Sequence, residues 1–153
     1  MATQIVKDFL DQHAIPHSSV PHPQTFTAQR TAQVAHIKGR EFAKTVIVKV
    51  DGRVCMAVLP AHHHLDVDKL RSVTGAKHLD LAREEDLKKL FPDCETGAMP
   101  PFGNLYGMDV WVQEDLTQDE QIAFNAGTHT ELIRMSYRDF ENLVHPAVAD
   151  FAS

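Results

Sequence analysis

The chain has only two cysteines, Cys55 and Cys94, and lacks any apolar run long enough to cross a membrane. Two thiols allow at most one disulfide, and in a cytosolic chain such a pair is more often free, so no disulfide framework is expected to hold this fold. A membrane-spanning helix needs about 18 consecutive apolar residues, and the opening MATQIVKDFLDQ carries acids where a secretory segment would be apolar. A cytoplasmic protein without membrane contact is expected. Linkers rich in Pro, Gly and Ser, internal repeats and low-complexity tracts are missing too. With 153 residues, 43% apolar and 24% charged, the chain suits one domain over residues 1–153 with its own core.

Two catalytic signatures are also absent. Neither G-x-S-x-G nor G-x-x-x-x-G-K-[ST] occurs, which sets aside the common serine hydrolases and the P-loop enzymes. The run His62-His63-His64 invites a metal, but consecutive residues point in different directions on a strand or a helix, so three in a row do not make one coordination shell. No metal and no cofactor are expected, and a metal-dependent hydrolase ranks last among the enzymatic alternatives.

Positive charge is scarce overall, since the formal charge is −6. That argues against binding long duplex DNA, which requires neutralising many phosphates. Between Arg30 and Arg53, however, six Lys/Arg (Arg30, Lys38, Arg40, Lys44, Lys49, Arg53) face two acids, a local +4 against −10 for the remainder. Such a window is either a set of solvated side chains or a patch that meets a few phosphates at one place.

What is present reads as helices and strands in alternation. Ile5, Val6, Phe9 and Leu10 share one face of a helix over residues 3–13, with Thr3 as its N-cap, and Pro16 ends it. HSSVPHP is extended, and a short helix opens at Thr27. KTVIVKV and RVCMAVL flank Asp51-Gly52, the pattern of a hairpin closed by a type I′ turn. Asp66 and Gly75 bracket another helix. The strand KHLDLA and the helix REEDLKKLF follow, then the strands MDVWV, QIAFNAG and TELIRM, and a last helix starting at Ser136. This order predicts an α/β (α+β) domain around a mixed, largely antiparallel sheet.

Three segments carry candidate chemistry. Lys44 opens the first strand of the hairpin, either as a solvated strand-end residue or, if enclosed, as a functional cation. The stretch Gly97-Ala-Met-Pro-Pro-Phe-Gly103 is stiffened by prolines and freed by glycines, which suits a rigid connection or a pocket wall with exposed amides. In Gly127-Thr128-His129 a strand is interrupted and then resumed, leaving His129 at the bend as a structural or a functional imidazole.

Taken together, AKTVIVKVDG, the VLP ending its partner strand, FPDCETGAMPPFG with Gly97 and Pro101 in a G-x-x-x-P frame, FNAGTHT and MSYRDFENLVHP resemble the YbaK/EbsC family. These domains are similar to the editing insertion of bacterial prolyl-tRNA synthetases. The resemblance covers nearly the whole chain and implies a compact fold with a barrel-like mixed sheet. It also implies a deacylase that hydrolyses mischarged tRNA in trans, with the tRNA acceptor end as partner and a synthetase as a transient one. By position, Lys44, Gly127 and His129 match functionally important residues. Thr45, Gly97, Ala98, Met99, Pro100, Pro101, Phe102 and Thr128 correspond to the aminoacyl pocket, and Arg30, Lys38 and Arg40 are the expected tRNA contacts. Thr128 stands where the family tends to have serine, and Thr45 where its alanine-specific branch carries asparagine, so the residue removed is expected only to be small: Ala, Cys, Ser or Thr. A non-catalytic module binding aminoacyl-tRNA or a nucleotide is the alternative.

Overall fold

The structure, a computed structural model, describes residues 2–25 and 27–153. Its first helix, α1 (Ala2–Gln12), buries Val6 and Leu10 completely and Phe9 in part, whereas Ile5 remains 44% exposed at the edge of the apolar face. Thr3 is not the N-cap expected from sequence. The helix already includes Ala2, and the Thr3 hydroxyl donates to the Ala126 carbonyl at 2.7 Å instead. The extended piece becomes strand β1 (His17–Pro21), and Thr27 caps α2 (Ala28–Val34) by accepting from the Arg30 amide.

The hairpin forms as its turn chemistry requires. Asp51 and Gly52 both adopt positive φ, 50° and 85°, and fold β2 (Ala43–Val50) onto β3 (Arg53–Pro60) with Val50 opposite Arg53. Such a turn matches the twist of the strands it joins. Helix α3 (Val67–Thr74) is framed by Asp66, whose carboxylate accepts from the Lys69 amide, and by left-handed Gly75. Strand β4 (Leu79–Leu81) returns to pair with β2, and α4 (Glu84–Leu90) places acids in its first turn and lysines in its last, as the helix dipole favours.

The three later segments are strands as well: β5 (Asp109–Gln113), β6 (Gln121–Asn125) and β7 (Glu131–Ser136). Gly127 does not interrupt one continuing strand. The chain reverses there, so β6 and β7 pair antiparallel with Asn125 opposite Leu132. Ser136 caps α5 (Tyr137–Val144) by accepting from the Asp139 amide, and the helix buries Tyr137 and Phe140. A short final strand, β8 (Ala147–Ala149), has no alternating pattern to announce it and exists because β5 offers it a parallel edge.

The strands make two sheets, β1-β7-β6 and β4-β2-β3-β5-β8. Pairing is mixed and largely antiparallel, with β3·β5 and β5·β8 parallel. A parallel bridge between Phe42 and Ala123 joins the sheets, so β2 starts beside β6. Alternate residues of β2 then enter different cores. Ile47 packs with Val6, Leu10, Met56, Phe102, Phe124 and Phe140, whereas Val48 packs with Leu59, Leu70 and Phe151. Burial on both faces makes β2 an anchored strand, and its first residues inherit that rigidity.

Candidate functional site

The Gly/Pro loop and the hairpin bend are clasped together. The Glu95 amide donates to the Gly127 carbonyl and the Gly127 amide to the Ala98 carbonyl, both at 2.7 Å. Glu95 also accepts from the His129 amide through Oε1, again at 2.7 Å. The His129 ring lies over the same loop, its Nε2 donating to the Thr96 carbonyl at 2.8 Å. A carbonyl only accepts, so Nε2 carries the proton in this bond. Gly97 at φ 88° and Gly127 at φ 115° supply the left-handed backbone that lets the two turns meet. Glu95 and Thr96 were not among the expected site residues, although Glu95 directly precedes the Gly/Pro stretch; nothing local in the sequence shows that it reaches the bend.

Lys44 lies on the other sheet. It is the second residue of β2, next to the Phe42–Ala123 bridge, and its ammonium is half buried. Among the described residues its ammonium makes one hydrogen bond, a long one of 3.4 Å to the Ala61 carbonyl. Burial lowers the Lys44 pKa below the ordinary lysine range, since a charged amine loses water there. Thr45 points to the opposite face of β2, where its hydroxyl oxygen is enclosed without a partner among the described residues.

The expected pocket residues differ in exposure. Phe102 is fully buried and meets Phe9, Phe124 and Phe140 at ring separations of 5.4–6.0 Å, so it anchors the core. Ala98, Met99, Pro100 and Pro101 are buried as well, and of the Gly97–Gly103 segment Gly97 alone is exposed. The stretch is therefore a packed support with its first residue at the surface. Two of the amides expected to face a ligand, those of Ala98 and Gly127, are used within the clasp. The amides of Gly97 and Thr128 have no protein acceptor among the described residues.

The cationic window also divides. Lys49 pairs with Asp86 at 2.9 Å and Arg53 with Asp109 at 3.2 Å, both near the turn end of the hairpin. With about 3.3 Å per residue, that end lies roughly 20 Å along the strand from Lys44. Lys38 and Arg40 stay at the Lys44 end, where with Gly39 and His62 they line a shallow groove, and Arg30 is exposed on α2. Beside that groove a cleft is bounded by Arg40, Glu41, His62, Asp115 and Asp119. The histidine run does not converge: His62 and His63 stack with centroids 4.1 Å apart, and His63 pairs with Asp115. Among the described residues no three His, Cys, Asp or Glu side chains could hold a metal together. Cys55 and Cys94 are both free thiols, and no helix among the described residues is long and apolar enough to cross a membrane.

What these elements define is a class of domain, a mixed α/β unit in which a Gly/Pro loop is clasped to a Gly-Thr-His bend and a half-buried lysine heads a strand of the other sheet. The chain belongs to the aminoacyl-tRNA editing domain family, YbaK/EbsC-like, whose pattern matches residues 22–143 and so includes all three segments. Among curated proteins it is 28% identical over 104 residues to a proline--tRNA ligase of Macrococcus caseolyticus, covering 68% of this chain and 18% of the ligase. A proline--tRNA ligase of Staphylococcus epidermidis is 30% identical over 98 residues, 64% of this chain and 17% of that one. The chain thus spans less than a fifth of the length of these relatives. Among solved structures, one proposed to be a trans-editing enzyme for prolyl tRNA synthetase superposes with a TM-score of 0.85 at 22% identity, covering 99% and 97% of the two chains. A scaffold from computational epitope grafting does so with a TM-score of 0.85 at 20% identity and the same coverage. At such identities the likeness is one of fold.

Proposed function

We propose that this protein hydrolyses the ester of mischarged aminoacyl-tRNA in trans, releasing a small amino acid. The observation that carries this is the span of the family match, which takes in Lys44, the Gly97–Pro101 frame and the Gly127–His129 bend in one continuous domain. An aminoacyl ester is already activated, so its cleavage depends on orientation and on donors for the developing oxyanion more than on a strong base. The amides of Gly97 and Thr128 are the donors left for that role. Lys44 holds a phosphate or ester oxygen of the acceptor end, and the partial loss of water around its ammonium strengthens that contact. His129, fixed by Thr96 and Glu95, keeps the bend in place and orients the terminal ribose or the amino group. Water or a group of the substrate is the nucleophile. Arg30, Lys38 and Arg40 meet the acceptor-end phosphates, and Thr128 bounds the space for a side chain small enough to be Ala, Cys, Ser or Thr. One methylene in such a space is worth only about 1–3 kcal/mol, so cross-reaction among these four is expected.

Deacylation of Ala-, Cys-, Ser- and Thr-charged tRNA by the intact protein and by Lys44→Ala tests this. Losing a charge-assisted bond should lower kcat/KM by about 10- to 100-fold without shifting the melting temperature appreciably. Undiminished hydrolysis in the variant removes Lys44 from the mechanism. Absence of hydrolysis of every charged tRNA by the intact protein leaves binding without turnover.

A further inference from the structure

One residue, Glu95, fixes the peptide units on both sides of Thr128. Its backbone amide donates to the Gly127 carbonyl, which belongs to the unit joining residues 127 and 128. Its Oε1 accepts from the His129 amide, which belongs to the next unit, and both bonds are 2.7 Å long. Further out, the Thr3 hydroxyl holds the Ala126 carbonyl and the Thr25 amide holds that of His129. Thr128 is thus a half-exposed residue between buried Gly127 and His129, bracketed on both flanks. In a planar trans peptide the C=O and N–H point opposite ways. The Gly127 carbonyl faces Glu95, so the Thr128 amide faces away from it, and that amide has no protein acceptor among the described residues. Gly127, at φ 115°, is free to adopt backbone conformations closed to other residues. Without the bracket, the unit that follows it could turn and carry the Thr128 amide off its line. A donor held in place before the reaction starts needs no reorganisation when charge develops, which is what an oxyanion requires.

We propose that Glu95 is a positioning residue whose carboxylate, bonded to the His129 amide, keeps the Thr128 amide aimed at the substrate oxygen that becomes the oxyanion. This rests on the deacylase function proposed above and deepens it. Glu95 acts through Thr128 and does not itself touch the substrate. What it contributes is an acceptor at a fixed place, neither a base nor a negative charge. A neutral acceptor on a side chain of the same length should therefore replace it.

Glu95→Gln keeps such an acceptor, whereas Glu95→Ala and Glu95→Leu remove it, and all three retain the backbone amide. Each is compared with the intact protein on whichever of the Ala-, Cys-, Ser- and Thr-charged tRNAs the intact protein hydrolyses fastest. The Ala and Leu variants should lower kcat about tenfold or more with KM unchanged, since losing an oxyanion donor outright costs about 10²- to 10³-fold. The Gln variant should keep most of the rate. Amide hydrogen exchange gives a readout apart from turnover: the His129 amide should exchange faster in the Ala and Leu variants and stay protected in Gln. Undiminished kcat in Ala and Leu, or a change confined to KM, overturns the positioning role. A Gln variant as slow as Ala overturns it as well, because charge would then be what matters. So does a His129 amide that remains protected without the carboxylate. Should Glu95→Ala fail to fold by circular dichroism, Leu and Gln carry the comparison, and a Leu variant that also fails to fold makes Glu95 structural and ends the proposal. Hydrolysis of none of the four charged tRNAs by the intact protein fails the deacylase reading itself, whereas an active intact protein with unaffected variants fails the role of Glu95 alone.

Discussion

A methyl group on Gly103 would sit 2.5 Å from both the Met108 carbonyl oxygen and the Val110 Cγ2. One of these is backbone and cannot step aside, so Gly103→Ala should cost about 1–3 kcal/mol, read from the denaturant midpoint. Gly97 differs: a methyl there meets His129 at an ordinary 3.7 Å, and the strain comes from its φ of 88° alone. A second residue, Asp119, responds to pH. Burial pushes its carboxyl up to about 6, Glu41 and Asp115 add to the shift, and Arg40 and His62 oppose it. The folded protein therefore holds this proton more tightly than the unfolded chain, whose carboxyl titrates in the usual range near 3.8. Stability falls as pH rises from that range through about 6, and the penalty is complete above it. Asp119→Asn should accordingly melt higher than the intact protein at neutral pH, and the gap should close in acid below the unfolded range. A gap that is constant with pH would show that Asp119 does not titrate in this way.

At the scale of elements, caps and turns decide where each piece of chain stops. Ser136 satisfies the Asp139 amide at the start of α5, and Ser136→Ala should cost about 1 kcal/mol, measured as a fall in melting temperature with the fold retained by circular dichroism. The Asp51-Gly52 turn, the Asp66 and Gly75 caps and the Ser136 cap were all legible because their physics is local: one side chain or one φ angle decides each. Thr3 misled because the helix already includes Ala2, which puts Thr3 inside it, where its hydroxyl donates to the distant Ala126 carbonyl. Strand β8 was invisible because its cause lies on β5, not in its own residues.

For the molecule as a whole, charge sets how RNA can be approached. With a net −6 and with Lys49 and Arg53 paired to acids near the turn end of the hairpin, the cations left for an acceptor end are few. If Arg30, Lys38 and Arg40 each meet one phosphate, affinity for a single-stranded acceptor end should fall with salt at a log–log slope of about −2, at about −0.7 per phosphate. Arg40→Ala should make that slope shallower by about 0.7, as measured by titration over a range of salt concentrations. An unchanged slope would place Arg40 away from the RNA and leave it to the acids around it, Glu41, Asp115 and Asp119.

From the sequence alone came the hairpin, the caps, the mixed sheet, the family and the three segments carrying Lys44, Gly97–Pro101 and Gly127–His129, because turn geometry, periodicity and short motifs are written in neighbouring residues. Tertiary structure alone decided that Phe102 belongs to the core, that the Ala98 and Gly127 amides are spent on holding two loops together, and that the cations divide between the two ends of a strand. Each of these depends on which distant atoms fill a volume or accept a proton, and that is settled only when the sheets close on one another.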